Sequence, residues 1–260
     1  MTKARDNADD ILINFVQGLT LGNWSGTADR VNFGVTVSPG RCRGNGVTAS
    51  QTATWAKMLN ATWVQGFGYG GLDTGTIQPN TTYHCHAIRQ DSTGDLDFLF
   101  STSATSPVIP SGWTRVQRLG AVLTGGSGNI WPFVQSGNTF LFDVADGVTA
   151  YSSTTTRAKA PLFVVAPNGV RVQGLFQAVL NTAGSNAYVH MYAYDGLYAN
   201  VRDTAALRSS GGEVTGVMPL TVFTNTSQQI QLEVTNNPHL SNPCSLRCLG
   251  WIDYQIPRIG

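Results

Sequence analysis

The chain is a succession of short apolar or alternating stretches, separated at close intervals by turn residues. Apolar and polar positions alternate plainly at 188–194 and 230–234, a period of two that sends successive side chains to opposite faces of a strand. This pattern predicts antiparallel strands with one buried face. The predicted strands are 31–37, 63–66, 83–89, 98–101, 115–123, 139–144, 162–165, 170–180, 188–194, 218–224, 229–234 and 249–256.

The residues between these stretches support the same interpretation. Gly, Asn, Asp and Ser cluster there and tolerate the positive φ angles of tight turns, while prolines mark strand ends because they cannot donate to a sheet. Only 201–209 has the pattern of a short helix. We therefore expect an all-β fold with an antiparallel β-sandwich or jelly-roll-like body.

The N-terminal part differs from the rest of the chain. Charged and small residues at 2–10 lead into a compact apolar run at 11–16. A Thr-rich stretch at 151–157 is the best candidate for an internal boundary. The predicted divisions are a short N-terminal attachment segment at 1–20 and a body at 21–260, either one sandwich or two lobes at 21–150 and 157–260.

The charged residues are few, and their types are unevenly used. Two Glu and three Lys stand against thirteen Asp and thirteen Arg, which argues against a helical protein because Glu and Lys favour helices. The formal net charge of +1 argues against a nucleic-acid partner and against a polybasic membrane surface. The chain has neither an apolar run of transmembrane length nor an apolar signal-peptide core, so we expect neither membrane insertion nor export.

Two histidines are the first candidates for a metal site. His84 and His86 share one face if 83–89 is a strand. A third ligand at plausible spacing is missing, and His190 or His239 would have to be recruited by the fold. We therefore expect half-exposed strand histidines, with no metal and no cofactor.

Four cysteines are present: Cys42, Cys85, Cys244 and Cys248. Without an export signal they are expected to be reduced. Cys244 and Cys248 are close in sequence, but a zinc site would need two further ligands, of which His239 supplies one. Buried thiols are the expected outcome, and the sequence leaves open whether Cys244 and Cys248 pair.

Carboxylates cluster around Gly94. Asp91, Asp95 and Asp97 could offer oxygens to calcium, but the stretch lacks the spacing of an EF-hand loop. A hairpin turn with solvated aspartates explains the cluster better. Paired-carboxylate hydrolysis is a related hypothesis, in which one of these residues or Asp143 would act on a glycosidic bond.

Several aromatic residues stand in polar or Gly-rich surroundings. Trp24, Trp55, Tyr69 and Trp113 are such residues, and the run at 66–71 has the character of a loop that displays aromatics. A ring that stacks on a sugar face amid Asn, Asp and Thr is typical of glycan recognition, so these four are the candidate receptor-binding residues. The tryptophans expected to fill the core are Trp63, Trp131 and Trp251.

The segment 83–103 resembles one found in tail fibres and other tail-associated structural proteins of tailed bacteriophages. It reads Tyr83-His84-Cys85-His86-Ala87-Ile88-Arg89-Gln90-Asp91-Ser92-Thr93-Gly94-Asp95-Leu96-Asp97-Phe98-Leu99-Phe100-Ser101-Thr102-Ser103. Further segments similar to that group lie at 3–9, 107, 110–113, 115–120, 133–137 and 160–170. The matching parts cover roughly 80 of the 260 residues.

The resemblance implies a virion structural protein of the tail, assembled in the host cytoplasm as a homotrimer. We expect a short tail fibre or receptor-binding protein, not an enzyme, that contacts a host cell-surface glycan or protein receptor. Residues 1–20 would attach it to other tail proteins or to sister chains. The expected apolar anchors are Ile11, Leu12, Ile13, Phe15 and Val16.

Two alternatives remain open. The first is a purely architectural protein of the tail, baseplate or head decoration, which would bind no receptor. The second is a polysaccharide depolymerase, although the chain lacks the long parallel β-helix pattern that many such enzymes carry.

Overall fold

The computed structural model describes residues 14–182, 188–192, 205–208, 214–235 and 243–259. Strands account for 55% and helix for 3%, which confirms the predicted all-β class. The chain forms two compact units, Met1–Asn138 with Gln255–Gly260, and Thr139–Tyr254. The stretch 151–157, the boundary suggested by the sequence, lies inside the second unit.

The first unit contains one short helix among its strands. These elements are β1 (Phe15–Gly18), β2 (Leu21–Asn23), α1 (Ala28–Phe33), β3 (Gly34–Val37), β4 (Gly40–Gly44), β5 (Val47–Gln51), β6 (Trp55–Thr62), β7 (Gly70–Leu72), β8 (Thr82–Gln90), β9 (Leu96–Ser101), β10 (Trp113–Leu123) and β11 (Phe133–Ser136).

Two sheets make up the first unit. The larger runs β10-β8-β9-β7-β6-β3-β2-β11, antiparallel except where β7 pairs with β6 and β9. The smaller sheet, β1-β4-β5, packs against β9 and β10. The two sheets approach each other so closely at Gly44 that a Cβ at this position would collide with the backbone carbonyl of Val116. Strand β9 and most of strand β8 are buried on both faces, so the polar residues of β8 also lie in the interior.

A tight turn that the apolar pattern does not predict joins β4 to β5. Asn45 and Gly46 have φ angles of 50° and 76°, the left-handed pair of a type I′ turn. Asn-Gly between two extended segments is a strong hairpin signal. The flanking strands are polar, so hydrophobic periodicity alone misses them.

Strand β1 belongs to the core of the first unit. Phe15 is 9% exposed and Val16 is fully buried. The Val16 N–H donates to the carbonyl of Pro257 (2.8 Å), and the Val16 carbonyl accepts from the N–H of Ile259 (2.9 Å). These two predicted anchors therefore pack within their own chain, so β1 is part of the body, while the attachment role of residues 1–20 stays a prediction. The anchors Ile11, Leu12 and Ile13 lie outside the described residues.

The second unit also consists of two sheets. Its strands are β12 (Thr139–Phe142), β13 (Val148–Ser153), β14 (Arg157–Phe163), β15 (Gln173–Thr182), β16 (Tyr188–Tyr192), β17 (Ala205–Arg208), β18 (Val214–Phe223), β19 (Gln229–Thr235) and β20 (Cys244–Ile252). Within this unit one sheet runs β12-β20-β15-β18, with β13 also on β20, and the other runs β14-β19-β16-β17. Strands β15 and β18 contact β16 and β17, so the two sheets form a sandwich.

Most predicted strands are confirmed, and three predictions need correction. Residues 31–33 belong to α1, so only the second half of 31–37 is a strand, and 63–66 is a loop. The helix predicted at 201–209 is wrong where the structure describes it, because Ala205–Arg208 pairs with β16 as a strand. Backbone pairing with a neighbouring strand overrides a weak helical preference of this kind.

Candidate functional site

A glycine-rich loop after β6 carries the aromatic surface of the first unit. Gly66 and Gly68 have φ angles of 117° and 79°, which glycine adopts without steric cost. The loop places Phe67 between two tryptophans, with ring centroids 5.5 Å from Trp24 and 6.0 Å from Trp55, edge-on in both pairs. The interpretation of 66–71 as a loop displaying aromatics is confirmed at 66–69.

A buried ion pair lies beneath this loop. Lys57 Nζ is 2.9 Å from Asp97 Oδ2, and the side chains are 0% and 1% exposed. Lys57 Nζ also donates to the carbonyls of Val64 (2.7 Å) and Gly66 (3.0 Å), so the three donors of the ammonium are used. Burial lowers the pKa of Lys57 from its ordinary value, and the attraction of Asp97 opposes that shift.

Asp97 ties the ion pair to the aromatic surface. Besides Lys57, it accepts hydrogen bonds from the backbone N–H of Gly66 (3.0 Å), the indole Nε1–H of Trp55 (2.9 Å) and the backbone N–H of Phe98 (2.7 Å). The carboxylate therefore fixes the plane of the Trp55 ring and the start of the glycine-rich loop. A carboxylate that accepts several charge-assisted hydrogen bonds is a strong positioning group.

A cavity of about 380 Å³ opens beside this network. Trp55 and Trp113 are its aromatic lining residues. Trp113 is itself held edge-on by Trp63, at a centroid distance of 5.2 Å. The remaining lining residues are Ser50, Gln51, Thr52, Ala53, Gln65, Gly66, Thr93, Gly94, Asp95, Leu96 and Asp97.

The structure brings together two of the four predicted receptor residues, Trp55 and Trp113, in this cavity. Trp24 does not line it and instead packs on Phe67, with the Arg30 guanidinium 4.6 Å above its ring. Tyr69 is 58% exposed on the glycine-rich loop. We name the aromatic group Trp24, Phe67 and Tyr69 the loop patch.

Sequence reasoning did not predict the buried ion pair of Lys57 and Asp97. Lys57 carries no local signal of burial, and Asp97 has the sequence context of a turn aspartate. Phe67 was detectable, because two glycines flank it and leave its ring to be displayed. The hairpin predicted around Gly94 is confirmed by the pairing of β8 with β9.

The tryptophans predicted to fill the core differ in burial. Trp251 is 1% exposed in the second unit, as expected. Trp63 and Trp131 are partly exposed, so the prediction that they fill the core is wrong. Trp63 instead supports Trp113 with its ring and donates its indole N–H to the carbonyl of Phe98 (3.1 Å).

The two strand histidines lie in the interior, which corrects the expectation of half-exposed rings. His84 and His86 are both 0% exposed, because β8 is buried on both faces. Arg115 Nε donates to His86 Nδ1 (3.2 Å), so His86 Nε2 carries the hydrogen that the carbonyl of Ser103 accepts (2.9 Å). Among the described residues, no three His, Cys, Asp or Glu side chains gather as metal ligands.

Burial lowers the pKa of His86 to about 3, and repulsion from Arg115, His84 and Arg118 adds to the effect. The ring is thus neutral in the folded state, whereas it titrates near 6.5 when unfolded. The free energy of unfolding therefore does not depend on His86 above pH 6.5. As the pH falls from 6.5 towards 3, protonation of this ring in the unfolded state lowers that free energy by up to about 1.4 kcal/mol per pH unit. Urea unfolding of His86→Gln should show a flatter pH dependence than the wild type over this window, and equal slopes would contradict the assignment.

The acidic residues considered for hydrolysis do not form a free pair. Asp97 is buried with four donors, which corrects the expectation of a solvated aspartate. Asp91 accepts from the hydroxyl of Thr114 (2.6 Å), and Asp95 accepts from the hydroxyl of Thr93 (2.7 Å). Asp143 is exposed in the second unit. Asp97 is therefore occupied by structural contacts rather than presented to a substrate.

None of the four cysteines forms a disulfide, and all four are buried. Burial raises the pKa of Cys42 and of Cys248 to about 12, so these thiols stay protonated and unreactive at neutral pH. Cys244 and Cys248 lie four residues apart on β20, about 13 Å along a strand. A disulfide needs a Cα separation below about 7 Å, so these two do not pair.

No protein-family model matches the chain, and no curated protein matches it in sequence.

Within the described residues, no helix combines the length and the apolar character needed to cross a membrane.

Proposed function

We propose that the chain is a virion structural protein of a bacteriophage tail, a short tail fibre or receptor-binding protein that contacts a host cell-surface glycan. The resemblance of 83–103 and 110–113 to tail-associated proteins supports this proposal, and these segments include Thr93, Asp95 and Trp113 of the cavity. The protein acts without catalysis, as a homotrimer attached to other tail proteins.

The observation that carries the proposal is the cavity with Trp55 and Trp113 among its lining residues. Two indoles among hydrogen-bonding amide, hydroxyl and carboxylate side chains suit a sugar, which presents C–H groups on its faces and hydroxyls around its edge. Asp97 fixes Trp55 before any ligand arrives. A site that is already ordered binds with a smaller entropic cost than one that must be ordered on binding.

An architectural role is the second candidate, and the loop patch favours it. Phe67 and Tyr69 are 52% and 58% exposed, and the neighbouring Val64 is 53% exposed. Exposed aromatic residues of this kind are enriched where proteins contact one another. In that case the loop patch would contact another tail protein, and the cavity would bind nothing.

Phage adsorption distinguishes these two functions. Particles assembled without the chain are expected to form but not to adsorb to host cells, and an excess of the purified chain should slow the adsorption of wild-type particles. A residual-phage assay measures both effects. The architectural role would instead be supported if particles failed to assemble without the chain and if the purified chain did not slow the adsorption of wild-type particles.

A further inference from the structure

A second cavity lies next to the one described above, which we now name the first cavity. The second cavity measures about 390 Å³ and is more open. It lies at the end of the small sheet, where β1 and β5 end and β4 begins, and its lining includes Gln17, Arg41, Ser50 and Gln51. Ser50 and Gln51 also line the first cavity, so the two cavities share a wall.

The shared wall stands where the chain passes from the small sheet to the large one. Ser50 and Gln51 are the last residues of β5, and the chain continues along the first cavity through 52–53 towards β6. The Gln51 amide is held in place, because its Nε2 donates to the carbonyls of Val37 (3.4 Å) and Ser38 (3.3 Å). Ser50 is exposed. A ligand that extends from one cavity to the other would therefore cross polar side chains.

Arg41 gives the second cavity a positioned donor group. Its Nε donates to Gln17 Oε1 (2.8 Å), and its guanidinium lies 5.6 Å from the centroid of the Phe15 ring. The side chain is exposed, and no residue in the described part of the chain accepts a hydrogen bond from its two Nη groups. Those groups are available to donate to the hydroxyl, ring or carboxylate oxygens of a sugar.

We propose that the first and second cavities together bind a linear oligosaccharide, one stretch of a host surface polysaccharide. It stacks on the indoles of the first cavity and continues across the shared wall to Arg41. This inference rests on the proposed glycan-binding function and specifies its substrate class as a polymer rather than a single terminal sugar. Each cavity lies near the lower end of the size range of small-molecule pockets. Because linked sugars bind as one ligand, contacts in the second cavity add affinity without the cost of a second association.

The test measures affinity as a function of chain length. Surface polysaccharide purified from host cells is partly hydrolysed and separated by size, and each fraction is titrated calorimetrically into the full-length chain. The disaccharide fraction is short enough to occupy the first cavity alone. We expect the hexasaccharide fraction to bind at least about tenfold more tightly, because it also reaches the second cavity.

Two variants at exposed positions assign the parts of the ligand to the two cavities. Arg41→Ala should weaken hexasaccharide binding about tenfold, as expected when a charged hydrogen bond is lost, and leave disaccharide binding within about twofold. Ala53→Trp places a bulky ring at the lining of the first cavity and should weaken the binding of both fractions at least about tenfold. Arg171→Ala, at an exposed arginine of the second unit, is the matched control and should bind both fractions as the wild type does.

The outcomes separate this inference from the proposed function. Equal affinities of the wild type for the two fractions would overturn the inference, and so would an Arg41→Ala variant that affects both fractions alike. In either case, slowed phage adsorption by the purified chain would leave receptor binding intact. Binding of neither fraction would also overturn the inference, and together with normal adsorption of particles that lack the chain it would overturn the proposed function as well.

Discussion

Replacing Asp97 with alanine is expected to lower the free energy of unfolding of the first unit by about 3–5 kcal/mol. The substitution leaves the Lys57 ammonium buried without its counter-ion, and it removes the acceptor of the Trp55 indole and of the Gly66 N–H. Each orphaned buried donor adds a desolvation cost. Urea unfolding followed by tryptophan fluorescence measures the loss.

Two controls test the physical reason for this prediction. Asp95→Ala removes an exposed carboxylate two positions away and should change the stability by about 0.5 kcal/mol or less. The double variant Lys57→Met with Asp97→Leu removes both charges and should be less destabilised than Asp97→Ala, because no unpaired ion remains. If Asp97→Ala is no more costly than Asp95→Ala, the buried pair does not hold the loop.

The sequence predicts strands best where burial is one-sided or complete. Strands β8 and β10 agree with the predictions to within a few residues, because apolar residues dominate or alternate along them. Hydrophobic periodicity does not predict strands β4 and β5, because their sequences are polar. Their pairing follows from the Asn45-Gly46 turn and from close packing against Val116, and the second of these exists only in three dimensions.

Some residues of the candidate site can be predicted from the sequence, and others cannot. Trp55 and Trp113 can be proposed from their polar neighbours along the chain, because local context marks an aromatic ring that is not needed in the core. Lys57 and Asp97 cannot, because each has the sequence character of a solvated charge and their burial depends on meeting across the sheet. Val16 shows the opposite error. Its position in an N-terminal apolar run suggests an external anchor, yet the chain's own C-terminal residues cover it.

Replacing Trp251 with alanine is expected to lower the free energy of unfolding of the second unit by about 3–5 kcal/mol. The ring is 1% exposed, lies stacked on Phe140 at a centroid distance of 5.0 Å, and meets Phe142 edge-on at 5.5 Å. Its removal leaves a large cavity between β12 and β20, which the surrounding rings can fill only in part. Urea unfolding, with hydrogen exchange of the β20 amides, measures the loss.

Trp251→Phe separates packing from hydrogen bonding at the same position. The Trp251 indole N–H has no acceptor among the described residues, so its loss carries no hydrogen-bond cost, and phenylalanine keeps most of the stacking. We therefore expect this variant to lose less than half of what Trp251→Ala loses. Phe163→Ala, at a ring 63% exposed in the same unit, should stay within about 0.5 kcal/mol of the wild type. An equal loss for Trp251→Phe and Trp251→Ala would mean that the indole N–H, and not the stacked ring, stabilises this core.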